Sequence, residues 1–150
     1  MKILEPSSDE MKEYYHLRWK ILRQPLGLEE GTEKDDLEDQ SIHRVVKIDN
    51  QIIGVGRLHF VDDDNAQIRY MAVEDNFRES GVGKLIVDEF VKISENRNTK
   101  KIILYARESV IDFYKKLGFD IVREAHKLKN IQHFLMEIII INRKYVFRKK

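Results

Sequence analysis

Between Arg78 and Leu85 the chain reads Arg-Glu-Ser-Gly-Val-Gly-Lys-Leu, and no other stretch restricts its fold so tightly. Two glycines and a lysine stand at the head of an apolar-periodic segment. There Val82, Leu85, Ile86, Phe90 and Ile93 recur at three- and four-residue spacing up to about Asn96, which predicts an amphipathic helix. Glycine lets a backbone approach a ligand without an intervening Cβ, and the first N–H groups of a helix face an anion with the dipole behind them. Ala66 to Val73 upstream reads as a strand. The unit is strand, turn, glycine loop and helix, the design of an anion cradle. The plainer alternative is a helix that merely begins with a flexible turn.

The residue types sort the cradles. A nucleotide P-loop needs Gly-x-x-x-x-Gly-Lys-Ser/Thr; here Arg78 takes the first glycine position and Leu85 replaces the hydroxyl that would hold magnesium. A dinucleotide fingerprint needs a third glycine, and none follows Gly83 at the right offset. About thirty residues on, Ala106 to Phe119 reads as a strand end, a short helix, a left-handed cap at Gly118 and a new strand.

Arg-x-x-Gly-x-Gly, followed at this distance by Phe113-Tyr114-x-x-x-Gly118-Phe119, resembles the two signatures of the Gcn5-related N-acetyltransferase (GNAT) family. Tyr15 to Arg23 and His133 to Met136 resemble a bacterial branch of it. The resemblance implies an α/β, mixed α+β fold, mostly antiparallel, flanked by helices and splayed in a V between the Ala66–Val73 and Lys101–Ala106 strands. It implies acetyl-CoA as cosubstrate and no metal. The backbone of Met71, Ala72 and Val73 would pair with the pantetheine arm as an added strand does. Arg78, Glu79, Ser80, Gly81, Val82, Gly83 and Lys84 would cradle the pyrophosphate, with Arg107 among the cofactor contacts and Tyr114 facing the sulfur as acid. Two departures stand out. Gln67 lies where some members carry a glutamate base, and Arg107 lies where many carry asparagine. The base stays open among His59, Glu108, His133 and a water relay.

Composition suits one enzyme domain over residues 1–150: 35% charged, 42% hydrophobic, two prolines. The absence of cysteine excludes disulfides, thiolate zinc sites and a cysteine nucleophile. No signal pattern opens the chain and Ile138 to Ile141 is too short to cross a bilayer, so a cytoplasmic location without membrane association is expected. The net charge of +1 conceals an asymmetry: Met1 to Phe77 carries 17 acidic and 10 basic residues, Arg78 to Lys150 9 and 17. The basic half suits a polyanionic cofactor. The acidic stretch Glu29 to Asp39 is either a solvated loop or a funnel for a cationic amine.

The expected activity is acetyl transfer to a primary amine on a small molecule or peptide, by direct attack in a ternary complex. Two other classes compete: a catalytically silent acyl-CoA sensor, and a nucleic-acid binder using the tail Arg143 to Lys150. For that tail, a solvated end or a lysine-protected edge is the stronger reading. The apolar closing strand leaves room for a homodimer. Further elements are expected as a helix from Ser7 or Ser8 through Leu22, a hairpin of Val45–Ile48 and Ile52–Phe60, and closing strands Phe119–Glu124 and Phe134–Ile141.

Overall fold

The computed structural model describes residues 1–140; the tail Arg143 to Lys150 lies outside the described residues. Chain order is β1 (Lys2–Leu4), α1 (Met11–Leu22), β2 (Ile42–Ile48), β3 (Gln51–Phe60), β4 (Asn65–Val73), α2 (Val82–Asn96), β5 (Lys101–Arg107), α3 (Ile111–Lys116), β6 (Asp120–Leu128) and β7 (Ile131–Ile139). The strands hydrogen-bond in the order β1-β2-β3-β4-β5-β7-β6. β4 and β5 run parallel, joined through α2 as a crossover requires. Their register places Asn65 to Gln67 against Lys101 to Ile103. The fold class is the mixed, mostly antiparallel one expected.

Two compact units divide the chain, one made of Met1–His59 with Arg69–Phe90, the other of Phe60–Ile68 with the residues from Val91 on. In the first, Ser7 and Glu10 form a reciprocal capping box ahead of α1, which buries Tyr14 and Leu17 against Val45, Ile52, Val55 and Ala72. Asp49, at φ 53°, helps turn β2 into β3. The head of α2 lies flush on β3 because β3 carries glycine there. A Cβ on Gly56 would come within 2.7 Å of Ile86 and 3.1 Å of Phe90, and one on Gly54 would overlap Val82. Two missing methyl groups therefore set the depth of the helix that begins the glycine loop.

In the second unit β5 and β7 pair over seven residues, with Ile102, Leu104, Met136 and Ile138 buried. Gly118 adopts φ 100° after α3 and lies close beneath Ile138. The closing strands are longer than the sequence suggests, because Lys129 and Asn130 both take positive φ and make a tight hairpin turn without glycine. Among the described residues no helix is long and apolar enough to cross a membrane.

Candidate functional site

The glycine loop takes the shape an anion cradle needs. Glu79 and Gly81 both have positive φ, 65° and 89°, and the N–H of Leu85 is bonded to the Gly81 carbonyl at 3.0 Å. The amides of Val82, Gly83 and Lys84 thus lie in the opening turn of α2, where no intrahelical acceptor is available. Among the described residues, no atom beyond its two chain neighbours lies within 4 Å of where a Gly81 Cβ would be, so the space beside the loop is open. The Ser80 hydroxyl donates to the Phe77 carbonyl and shapes the approach to the helix. Arg78 and Lys84 are exposed, pairing with Asp75 at 3.1 Å and Asp88 at 2.6 Å across single turns. Such exposed pairs are worth little and exchange readily for a stronger anion. The loop fits a pyrophosphate.

Met71, Ala72 and Val73 close β4 in the same unit, and the strand's end is tied to β3 by Glu74 N–H donating to the Ile53 carbonyl at 2.8 Å. Just before them Tyr70 has φ 57°. A bulky side chain rarely adopts this conformation, at a cost of roughly 1–2 kcal/mol. Its ring is nearly buried and ringed by cations: the guanidinium carbons of Arg18 and Arg69 lie 4.5 Å from its centroid, Arg57 5.0 Å and Arg23 5.7 Å. Desolvated cation–π contacts of up to about 2 kcal/mol each are large enough to offset that strain.

Arg18 and Arg57 are fully buried. Glu38 bridges them, accepting from each at 2.9 Å, while Asp35 takes Arg57 at 2.6 and 3.0 Å and Arg69 at 2.8 Å. Burial works to raise the Asp35 pKa, but the Arg57 hydrogen bonds, the Leu37 N–H and the charges of Arg57 and Arg69 outweigh it and hold the carboxyl at about 2. The Tyr14 hydroxyl accepts from Arg18 at 2.7 Å and lies 2.6 Å from His43 Nδ1. His43 Nε2 donates to the Glu38 carbonyl and Nδ1 accepts from Arg18 at 3.3 Å, so Nδ1 carries the lone pair and the ring is neutral. This corrects the funnel reading: Asp35 and Glu38 point inward onto arginines and are unavailable to a substrate cation. Glu30 and Glu33 instead line an open cavity of about 690 Å³ beside Tyr15, His16 and Trp19, where the Lys34 ammonium sits 4.1 Å over the Tyr15 ring.

Of the base candidates, His59 accepts from Arg57 at 3.2 Å through Nδ1. An arginine can only donate, so the neutral ring carries its proton on Nε2 and has no second lone pair to offer. Burial first, and then the Arg57 charge, keeps its pKa below the usual value. His59 is built as a donor. His133 Nδ1–H donates to the Ile131 carbonyl at 3.0 Å, and the ring stacks on His126 at 4.6 Å. Glu108 is exposed after β5. Gln67 sits in β4, paired in register with Ile103.

Tyr114 and Arg107 belong to the second unit, on α3 and at the end of β5. The Tyr114 ring packs edge-on to Phe113 and Phe119, at 5.0 and 5.7 Å, and burial pushes its pKa up to about 12. A phenol so shifted stays protonated and can donate. The Tyr70 cluster is what the sequence reading missed. Its signal was present as an arginine inside an apolar run, Arg57 within Ile52–Phe60, and another among Tyr14, Tyr15 and Leu17.

The sequence profile described as "Acetyltransferase (GNAT) family" matches residues 8–119. A relative from Bacillus subtilis, the uncharacterized protein YyaT, is 30% identical over 108 residues, 72% of each chain. Among solved structures, a putative N-acetyltransferase from Lactobacillus plantarum superposes with TM-score 0.82 at 17% identity, covering 93% of this chain and 97% of that one. A GNAT family acetyltransferase from Elizabethkingia anophelis, with acetyl-CoA bound, superposes with TM-score 0.70 at 17% identity over 92% and 97%. With a left-handed glycine loop heading α2 and a family match over most of its length, the chain belongs to the GNAT acetyltransferase family.

Proposed function

We propose that the protein transfers an acetyl group from acetyl-CoA to a primary amine by direct attack in a ternary complex. The observation that carries this reading is the Gly81 turn at the head of α2, left-handed and open where a Cβ would stand. The amides of Gly81 to Lys84, with Arg78 and Lys84, hold the pyrophosphate. The backbone of Met71 to Val73 pairs with the pantetheine arm, and Arg107 adds a contact from β5.

Acyl transfer then needs two proton movements. The amine nitrogen forms its bond to the thioester carbon and gives up a proton to water or to His133. The carbon–sulfur bond breaks, and the departing thiolate takes the Tyr114 proton. A free thiol titrates near 8.5, far below a phenol at about 12, so Tyr114 works as a hydrogen-bonding acid in the transition state and regains any shared proton quickly.

Acetyl-CoA should raise the Tm of the wild type through linkage, and Gly81→Asp should lose most of that rise, since it sets a carboxylate beside the phosphates and a side chain at φ 89°. An equal rise in both proteins would remove the loop from the site, and a larger rise with Mg-ATP would restore the nucleotide reading. Tyr114→Phe should keep acetyl-CoA binding while kcat falls on the order of 10 to 1,000-fold with little change in KM. Acetyl-CoA binding without thiol release over an amine panel would favour the silent sensor.

A further inference from the structure

We propose that Tyr70 is a positioning residue for acetyl-CoA. The guanidiniums of Arg18, Arg57 and Arg69 grip its ring, hold β4 in a left-handed kink, and so aim the peptide groups that follow it toward the cofactor arm. The proposal rests on the acetyltransferase reading above.

Two observations independent of that reading lead here. The first is the outlier itself: an aromatic residue at φ 57° in a strand whose neighbours are extended, immediately before Met71–Val73. Such a conformation persists only where the surroundings over-determine it. The second is the surroundings. Three elements converge on one ring: Arg18 from α1, Arg57 from β3, and Arg69 from β4 itself, all within 5.0 Å of the centroid.

These cations are themselves held. Glu38 ties Arg18 to Arg57, and Asp35 ties Arg57 to Arg69. The segment before β2 thus acts on β4 through the arginines without touching the reacting atoms. Beyond the kink the strand is fixed again, by Glu74 N–H on Ile53 and by Lys20 on the Glu74 carboxylate at 3.0 Å. A strand clamped on both sides of one left-handed residue has little freedom in the three residues between. Those are the residues asked to pair with pantetheine, and pairing of this kind depends on the direction of each N–H and C=O.

The hydroxyl of Tyr70 has no part in this, so Tyr70→Phe should bind acetyl-CoA as the wild type does. Tyr70→Leu keeps bulk but loses the cation grip, and leucine resists positive φ. Tyr70→Asn loses both bulk and grip, yet asparagine adopts the left-handed conformation readily. A packing role predicts that leucine is the better substitute. A positioning role predicts the reverse for ligand affinity.

The test is calorimetric titration of the full chain with acetyl-CoA, alongside Tm. Tyr70→Leu should weaken Kd about tenfold, the free energy of one disfavoured left-handed residue, while Tyr70→Asn stays close to wild type despite a lower Tm. Arg69→Met, at a half-exposed position that tolerates change, should weaken Kd with Tm nearly constant, and it decides the matter if Tyr70→Leu does not fold. Wild-type Kd in Arg69→Met or Tyr70→Leu, or a Kd order that follows Tm, would overturn the proposal alone. Absence of acetyl-CoA binding by the wild type would overturn the acetyltransferase reading and the proposal with it.

Discussion

Gly81 and Tyr70 lie in the same unit and both adopt positive φ, at 89° and 57°, but the chain holds them there by opposite means. Gly81 needs nothing around it: it has no Cβ, and among the described residues no atom beyond its chain neighbours lies within 4 Å of the place one would occupy. Tyr70 is held by everything around it, through two fully buried arginines, a third half-exposed one, and two carboxylates that bridge them. A glycine gives a bent backbone cheaply and leaves it mobile. A caged aromatic gives the same bend rigidly, at the expense of burying charge. The first would suit a loop that meets an anion, the second a strand whose peptide groups need a fixed direction.

The comparison breaks most visibly at Glu38. Its two oxygens accept from Arg18, from Arg57 and from the Asp35 N–H. Glu38→Leu takes from buried Arg18 its carboxylate and leaves Arg57 with Asp35 alone, a loss of about 3–5 kcal/mol when one partner of a buried ionic group is removed. A drop in Tm of roughly 10 °C or more should follow for a chain of this size. Gly81→Ala should cost only about 1–2 kcal/mol, the price of placing a Cβ at positive φ in open space. Thermal melts of the two variants measure the difference. Equal losses would mean that the cage is no more than a surface salt-bridge network.

The same contrast explains what was legible. Gly81, Gly83 and Lys84 are neighbours in sequence, and the helix they open announces itself by period; so does the Tyr114 helix, with Gly118 at its end. Local chemistry writes local structure. The cage joins positions 18, 23, 35, 38, 57, 69 and 70, and nothing in a window of ten residues shows that they meet. The acidic stretch misled for that reason: seven carboxylates within Glu29 to Asp39 look solvent-facing, but Asp35 and Glu38 turn inward because buried arginines in α1 and β3 need counterions. The apolar stripe of α2 is broader than its three- and four-residue period shows. Val87 and Val91 are buried with Val82, Ile86 and Phe90, since a helix covered on a broad face shows more than its narrowest period. Lys129-Asn130 hid its turn because neither residue is glycine.

The smallest expected effect sharpens the comparison through pH. Burial, joined by the Arg57 charge at His59 and the Arg18 charge at His43, lowers both histidine pKa values below the usual one. The groups that face them are Arg57, Asp35, Arg69 and Glu38 for His59, and Tyr14, Arg18 and Glu38 for His43. In the unfolded chain a histidine takes up its proton near 6.5. As pH falls below that value the unfolded state binds more protons than the folded one, so stability is present above about 6.5 and is lost toward the depressed folded values. Asp35 adds a second, separate window. With its pKa at about 2 against about 3.9 unfolded, it contributes about 2 kcal/mol above pH 4, lost between roughly pH 4 and 2. Tm should therefore decline in two steps on acidification. His59→Gln should flatten the upper step, because glutamine can still accept from Arg57 and cannot charge. Asp35→Asn should lower Tm at neutral pH and erase the lower step. A Tm that is level from pH 7 to 5 in the wild type would show that the cage accommodates a charged His59, and that its arginines grip Tyr70 less tightly than their distances indicate.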